Sequence, residues 1–296
     1  MNMFLSHTLN LLQQVKELEL IAKKNTTGMF AGNYLSTVLG HGLEFHEARK
    51  YVQGESIRLI DWNMTARLGD VYVKKFREER EREVFLAVDV SPSMFFGSQK
   101  RSKIETALEA AATLGFNAIN SNDRLGMVSF ADTVTDTFLP RKGRSHLFAI
   151  LKSLIIQKNK PAKDVKSTNT ESAIANIQSL RGRKFMIFII SDFIERDLPE
   201  DLSLIQDKHD VVLLHVYDPL EYEESKRVFL PFYSPEGSKH TASGKPGSFG
   251  NFAEVESFLK GSSLKYGIDV VSISTKDNIS SRLISYFKQK SNRRGF

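Results

Sequence analysis

The stretch VFLAVDVSPSM, from Val84 to Met94, decides how this 296-residue chain is read. Its first five residues are apolar and mostly of strand-favouring types. The run stops at Asp89, and two serines follow at alternate positions, Ser91 and Ser93, around Pro92. A short continuous apolar run fits a strand buried on both faces. Oxygen-bearing side chains at its end fit four uses: a turn, a helix cap, a nucleophile or a metal site. The rest of the chain has to choose.

Beyond Met94, strand-like and helical runs alternate. The strands read as LGMVSFAD, TVTDTFLP, FMIFII, VVLLHVYD and DVVSIST. Helices are expected from about Ser102 to Asn120, near His146 to Ile155, near Glu171 to Leu180, and after DVVSIST. In the first of these, Ile104, Ala107, Leu108, Ala111, Leu114 and Ala118 form one apolar stripe. Apolar strands separated by helices imply a mostly parallel sheet covered on both faces. The short link between LGMVSFAD and TVTDTFLP predicts a hairpin, and hence one antiparallel strand at an edge. From about 219 to 250 the chain turns loop-like, with room for a short hairpin in VFLPFYSPEGSKHTASGKPGSFG.

Ahead of Val84 the pattern is different. Glycines recur at 28, 32, 40, 42 and 54, between strand-like pieces such as LSTVL and DVYVKKF. Residues 28–83 therefore read as a small β-rich region, and REERERE (Arg77–Glu83) as a solvated edge or helix face. Residues 1–27 carry Leu5, Leu9, Leu12, Val15 and Leu18 at helical spacing, which predicts an amphipathic helix packed on its own domain. This segment lacks the basic start and unbroken apolar stretch of a signal peptide. No run approaches the roughly 20 apolar residues needed to span a bilayer. The chain reads as soluble and cytoplasmic, with an α/β region over 84–296.

Composition narrows the chemistry. Lysine and arginine number 41 against 35 acidic residues, a formal charge of +6, well short of a polybasic tail. Cysteine is absent, which removes disulfides, thiolate metal sites and a cysteine nucleophile. What remains concentrated at strand ends is oxygen: Asp89-Val-Ser91-Pro-Ser93, the run KSTNTESAI, and Ser191-Asp192-Phe193. In open α/β sheets ligands sit outside the carboxyl ends of the strands. Each segment has a plain structural use, and Thr168 with Glu171 even has capping-box spacing. Taken together, two carboxylates and three hydroxyls without histidine suit a hard cation, Mg²⁺ or Mn²⁺. Asp89, Ser91 and Ser93 share a direction if the chain stays extended. Such an incompletely neutralised ion has a position left for a carboxylate from another protein.

That constellation resembles the metal-ion-dependent adhesion site of von Willebrand factor A domains. The resemblance implies Asp89, Ser91, Ser93, Thr168 and Asp192 as the metal site, with Thr170 as the alternative threonine. A second signature precedes it. GHGLEFHEARKYVQGESIRLIDWNMTARLGDVYVKKFREERE looks like that of the bacterial "domain of unknown function 58" proteins, at Gly40, Gly42, Glu44, Phe45, Arg49, Tyr51, Gly54, Arg58, Asp61, Trp62, Ala66 and Arg67. Glu55 departs from the aspartate more common there. Members of this family typically accompany MoxR-type AAA+ ATPases. The resemblance therefore implies a non-enzymatic adaptor or co-chaperone, acting with such an ATPase through a divalent cation. Glu44, Arg49, Arg58, Asp61, Trp62 and Arg67 become candidates for partner binding. Trp62 also reads as a core aromatic, and Arg58, Asp61 and Arg67 as a structural ion network.

Two other functions compete. A metal-dependent phosphotransferase or hydrolase would use Asp89 as nucleophile. Ser91 stands where its acid/base aspartate is expected, and no phosphate-cradling G-x-x-x-x-G-K-[ST] occurs. A nucleic-acid binder would use SQKRSK, RKGR, RGRK and the C-terminal KQKSNRRGF, which otherwise read as solvated surface, SQKRSK beside the metal site. His41 and His46 flank Glu44 without the spacing of a zinc helix.

Overall fold

The computed structural model describes residues 13–22, 43–53, 56–78, 83–98, 101–159, 168–180, 184–196, 198–200, 202–222, 231–233, 239–241 and 252–293. Residues 13–22 form helix α1. Val15 and Ala22 are buried in the main core, with Leu18 packed against it, and Glu19 pairs with Arg144. The described part of the N-terminal stretch thus packs on this core, while Leu5, Leu9 and Leu12 lie outside the described residues.

Strands β1 (Leu43–Lys50) and β2 (Tyr72–Glu78) pair antiparallel, with an irregularity between Phe45 and Glu47. Between them lies helix α2 (Trp62–Leu68), which the β-rich reading did not anticipate. Asp61 starts it by accepting from the amides of Asn63 and Met64, each at 3.1 Å. Gly69 ends it at φ 80°, the left-handed conformation glycine adopts without penalty. The core-aromatic reading of Trp62 fails: the residue is 66% exposed, because the short helix buries none of its residues. LSTVL lies outside the described residues.

The main sheet has six strands in the order β10-β7-β6-β3-β4-β5. They are β3 (Glu83–Asp89), β4 (Arg124–Phe130), β5 (Val134–Arg141), β6 (Phe185–Ser191), β7 (Asp210–Tyr217) and β10 (Asp269–Ser274). All neighbours pair parallel except β4 with β5, the expected hairpin, which leaves β5 antiparallel at an edge. The burial of β5 alternates along its length, so one of its faces meets water. Strands β8 (Pro231–Tyr233) and β9 (Lys239–Thr241) form the expected small hairpin in the loop-like stretch.

Strand alternation sends successive side chains of β3 to opposite cores. Leu86 and Val88 join the cluster with α3 (Lys103–Asn120), α4 (Arg144–Asn159) and α8 (Ile279–Arg293). Phe85 and Ala87 join the other, with α5 (Thr170–Gln178), α6 (Leu202–Lys208) and α7 (Phe252–Tyr266). Helices α6 and α7 escaped the periodicity reading. Ser102 caps α3 in a reciprocal box with Glu105. This is a mostly parallel, doubly wound sheet with one antiparallel edge, the architecture of a von Willebrand A-type domain.

β3 and β4 approach closely at Gly126, where an added Cβ would lie 2.5 Å from the ring of Phe85, itself edge-on to Phe185. Gly126→Ala is expected to cost about 1–3 kcal/mol by overpacking. A lowered urea midpoint at unchanged slope checks it.

Candidate metal-binding site

The parallel register places Val88 opposite Ile190, so Asp89 and Ser191 end neighbouring strands at the same edge. Asp89 is fully buried. One carboxylate oxygen accepts from the Ser91 amide at 2.8 Å, the other from Ser191 Oγ at 2.6 Å. The first bond turns the chain out of the sheet at once. Residues Pro92–Phe95 then form a 3-10 turn anchored by buried Met94. The chain is therefore not extended through Ser93. The tight turn still brings the hydroxyls of Ser91 and Ser93 to 3.1 Å from one another. Extension would be one way to align them, and a 3-10 turn is the way used.

Asp192 follows β6 and is 2% exposed. Its Oδ1 accepts from the Ile194 amide at 3.3 Å, and its Oδ2 accepts from Lys103 Nζ at 2.7 Å. Phe193, next along, holds φ 50°, a strained conformation for a bulky residue and one found at functional turns. Burial, and then the negative charge of Asp192, push the Asp89 carboxyl up to about 7. Two desolvated carboxylates beside a pair of hydroxyls form a donor set that a divalent cation would relieve and fit.

The threonines stand differently. Asn169, not Thr168, caps α5, accepting from the Ser172 amide at 3.2 Å. The Asn169 amide is tied to Ala131 O at 2.6 Å, just past β4. The cap role suggested by spacing thus moves by one residue, leaving Thr168 partly exposed and Thr170 buried in the first turn. The Thr168 amide donates to Glu195 Oε1 at 3.0 Å, linking this segment to the loop after β6. Among the described residues, no hydrogen bond joins either threonine to Asp89 or Asp192.

The sequence reading missed Lys103 and Glu221. Lys103 belongs to SQKRSK, read there as surface beside the metal site that could meet an acidic partner, yet its side chain is fully buried. Its ammonium lies 2.7 Å from Asp192 and 2.5 Å from Glu221 Oε1, both of whose side chains are buried. Burial alone would lower the lysine pKa, but the charges of Asp192 and Glu221 outweigh it and hold the ammonium above its ordinary value. Burial pushes the Glu221 carboxyl up despite Lys103, as expected when two carboxylates share one cation. Arg101, in the same stretch, is held by Glu109 at 2.5 Å and by the carbonyls of Thr275 and Asp277. A lone lysine at the start of a helix carries no burial signal. Only the packed strand ends reveal it.

Of the second signature, Asp61 caps α2 and Arg67 lies exposed in its last turn. Arg49 donates to the Lys50 carbonyl at 3.2 Å. The side chains of Glu44 and Arg58 lie outside the described set, as do His41 and the His46 side chain. Among the described residues no group of three or more histidines and carboxylates is arranged to hold a metal. The candidate site is of the two-carboxylate, multiple-hydroxyl type instead.

The fold is von Willebrand A-like, a mostly parallel sheet with one antiparallel edge strand. The family described as "Protein of unknown function DUF58" matches residues 47–233, and the chain belongs to it. Uncharacterized proteins Mb1516 of Mycobacterium bovis and Rv1480 of Mycobacterium tuberculosis are 33% identical over 214 residues, 71% of this chain. That match spans 66% of the relatives' own length, just under two thirds. Solved structures similar to this chain include an aerotolerance-related membrane protein from Bacteroides fragilis, 20% identical over 72% of this chain and 99% of that one, TM-score 0.47. BatB from Bacteroides thetaiotaomicron is 18% identical with the same coverages and a TM-score of 0.41. The SpRpn10 VWA domain is 10% identical over 69% and 94%, also at 0.41. Among the described residues no helix is long and apolar enough to cross a membrane.

The Asp89 carboxyl rises on folding, from an ordinary 3.8 to about 7. The stability tied to its proton is complete below its unfolded value and is lost as pH climbs through about 7. In EDTA, Asp89→Asn is therefore expected to gain on the wild type from about pH 4 to about 7, by at most about 1.4 kcal/mol per pH unit. Urea midpoints across that range check it. A difference that stays constant would mean that Asp89 ionises normally in the fold.

Proposed function

We propose that this chain is a divalent-cation-dependent protein-binding adaptor. The observation that carries the reading is the pair of buried carboxylates, Asp89 and Asp192, beside the apposed hydroxyls of Ser91 and Ser93. Asp89 supplies the central carboxylate and Asp192 a second, directly or through water. Ser91, Ser93 and one threonine, Thr168 or Thr170, supply neutral oxygens. Mg²⁺ fits this set, and Mn²⁺ is its softer relative. Bound there, the ion would offer one open position to a partner's carboxylate. The family resemblance points to a MoxR-type AAA+ ATPase as the protein it serves with, in the cytoplasm.

Binding accounts for the edge better than turnover does. Both Asp89 oxygens already accept protein hydrogen bonds and the residue is fully buried, which disfavours a nucleophile. Of the basic stretches, Arg101, Lys103, Arg144 and Lys184 are engaged by carboxylates. A second contact surface lies around α2. Val52, Ile57, Leu59, Trp62, Leu68 and Val71 are all exposed apolar residues within one short region. With Arg49, Asp61 and Arg67, they suit a protein docking face with a charged rim, to which the family resemblance adds Glu44 and Arg58.

Calorimetric titration of Mg²⁺ and Mn²⁺ should give saturable binding to the wild type and none to Asp89→Ala, with the variant still folded. Capture of the ATPase should require the ion and fail in the variant. Equal capture by both proteins, with and without EDTA, would overturn the reading. Trp62→Ala should weaken capture tenfold or more if Trp62 anchors the face, about the scale of a binding hot spot, while leaving cation affinity unchanged.

A further inference from the structure

Lys103 stands where a lysine is electrostatically out of place. It opens α3, at the end of the helix whose dipole disfavours a cation. Its ammonium is buried, and a buried ion pair is seldom more stable than an apolar replacement of the same shape. Yet it meets two carboxylates from separate segments, Asp192 after β6 and Glu221 in the 3-10 turn Pro219–Tyr222 after β7. Asp192 is one of the two carboxylates assigned to the proposed cation site, and its charge acts on the Asp89 carboxyl. Its Oδ2 is engaged by the ammonium and its Oδ1 by a backbone amide.

The arrangement extends past Glu221. Its second oxygen accepts from the Asp218 amide at 3.2 Å. Asp218, fully buried, accepts from the Ser98 amide at 2.9 Å and from Thr275 Oγ1 at 2.9 Å. Ser98 lies in the loop that carries Ser91 and Ser93. The ammonium is thus framed by a built polar layer joining the ends of β6, β7 and β10 to that loop. It is not a side chain that wandered inward.

We propose that Lys103 is a resident cation that sets the affinity of the divalent site, with Glu221 as its counterweight. This rests on the adaptor reading and deepens it. In the absence of a divalent ion, the ammonium compensates Asp192, so the edge stays assembled while empty. When an ion enters, the same fixed positive charge behind Asp192 opposes it, and binding is kept weak enough to reverse. Glu221 restores part of the attraction. Counting Asp89, Asp192 and Glu221 alone against Lys103, the formal charge of this group of four is −2. Lys103→Met makes it −3, Glu221→Gln makes it −1, and the double variant returns it to −2.

The test is calorimetric titration of Mn²⁺, with Mg²⁺ as a check, into the full chain and these three variants. Each is also melted in EDTA and in excess Mg²⁺. Lys103→Met is expected to bind roughly tenfold or more tightly, and Glu221→Gln to bind more weakly by a similar factor, given the size of interactions between charges a few ångströms apart. The double variant should fall near the wild type. The shift of melting temperature on adding Mg²⁺ should rank in the same order. If Lys103→Met does not fold, the drop in Glu221→Gln and its recovery in the double variant decide the matter. Wild-type affinity in all the folded variants would overturn the proposal and leave Lys103 as a structural ion pair, with the adaptor reading intact. No binding by the wild type or any variant would overturn both. Binding that appears only in Lys103→Met would sustain the proposal in its strongest form.

Discussion

The parallel register of β3 against β6 is the constraint on which the rest depends. With Val88 opposite Ile190, Asp89 and Ser191 end adjacent strands at one edge, and Ser191 Oγ reaches the Asp89 carboxylate at 2.6 Å. A slip of one residue would send these side chains to opposite faces. The register is held because both faces of β3 are buried, so each apolar residue has only one core to enter. Hydrophobic packing thereby positions polar groups to within hydrogen-bonding distance.

Burial sets the electrostatics in turn. Carboxylates placed at the end of a strand buried on both faces lose their water, and the site must supply compensation. Asp89 receives it from an amide and a hydroxyl, and Asp192 from an ammonium and an amide. The proposed cation-dependent binding builds on that difference: hydrogen bonds hold Asp89, whereas an ammonium holds Asp192.

The region around α2 works by different physics. Its helix is short, capped at Asp61 and Gly69, and buries none of its own residues. Apolar side chains left on its surface are expensive unless something covers them. In the proposed function the two surfaces would divide the work, a charge-directed contact at the sheet edge and a hydrophobic one here.

Much of the molecule follows from sequence alone. The unbroken apolar runs of β3, β6 and β7 and the stripe on α3 require a parallel sheet with helices on both faces. The short β4–β5 link requires an antiparallel edge. The types and order of Asp89, Ser91, Ser93 and Asp192 follow as well, because strand ends in such sheets converge whatever the details. Tertiary structure alone decided what surrounds them. Asn169 takes the cap from Thr168 because its amide is held by the end of β4. Trp62 is exposed because the helix it begins is too short to bury a face. Lys103, indistinguishable in the sequence from its basic neighbours, becomes a buried cation because β6 and β7 bring two carboxylates to it from 89 and 118 residues away. Local patterns record which face of an element is apolar. They hold no record of which distant charges will meet, since that depends on how the strands are ordered in the sheet.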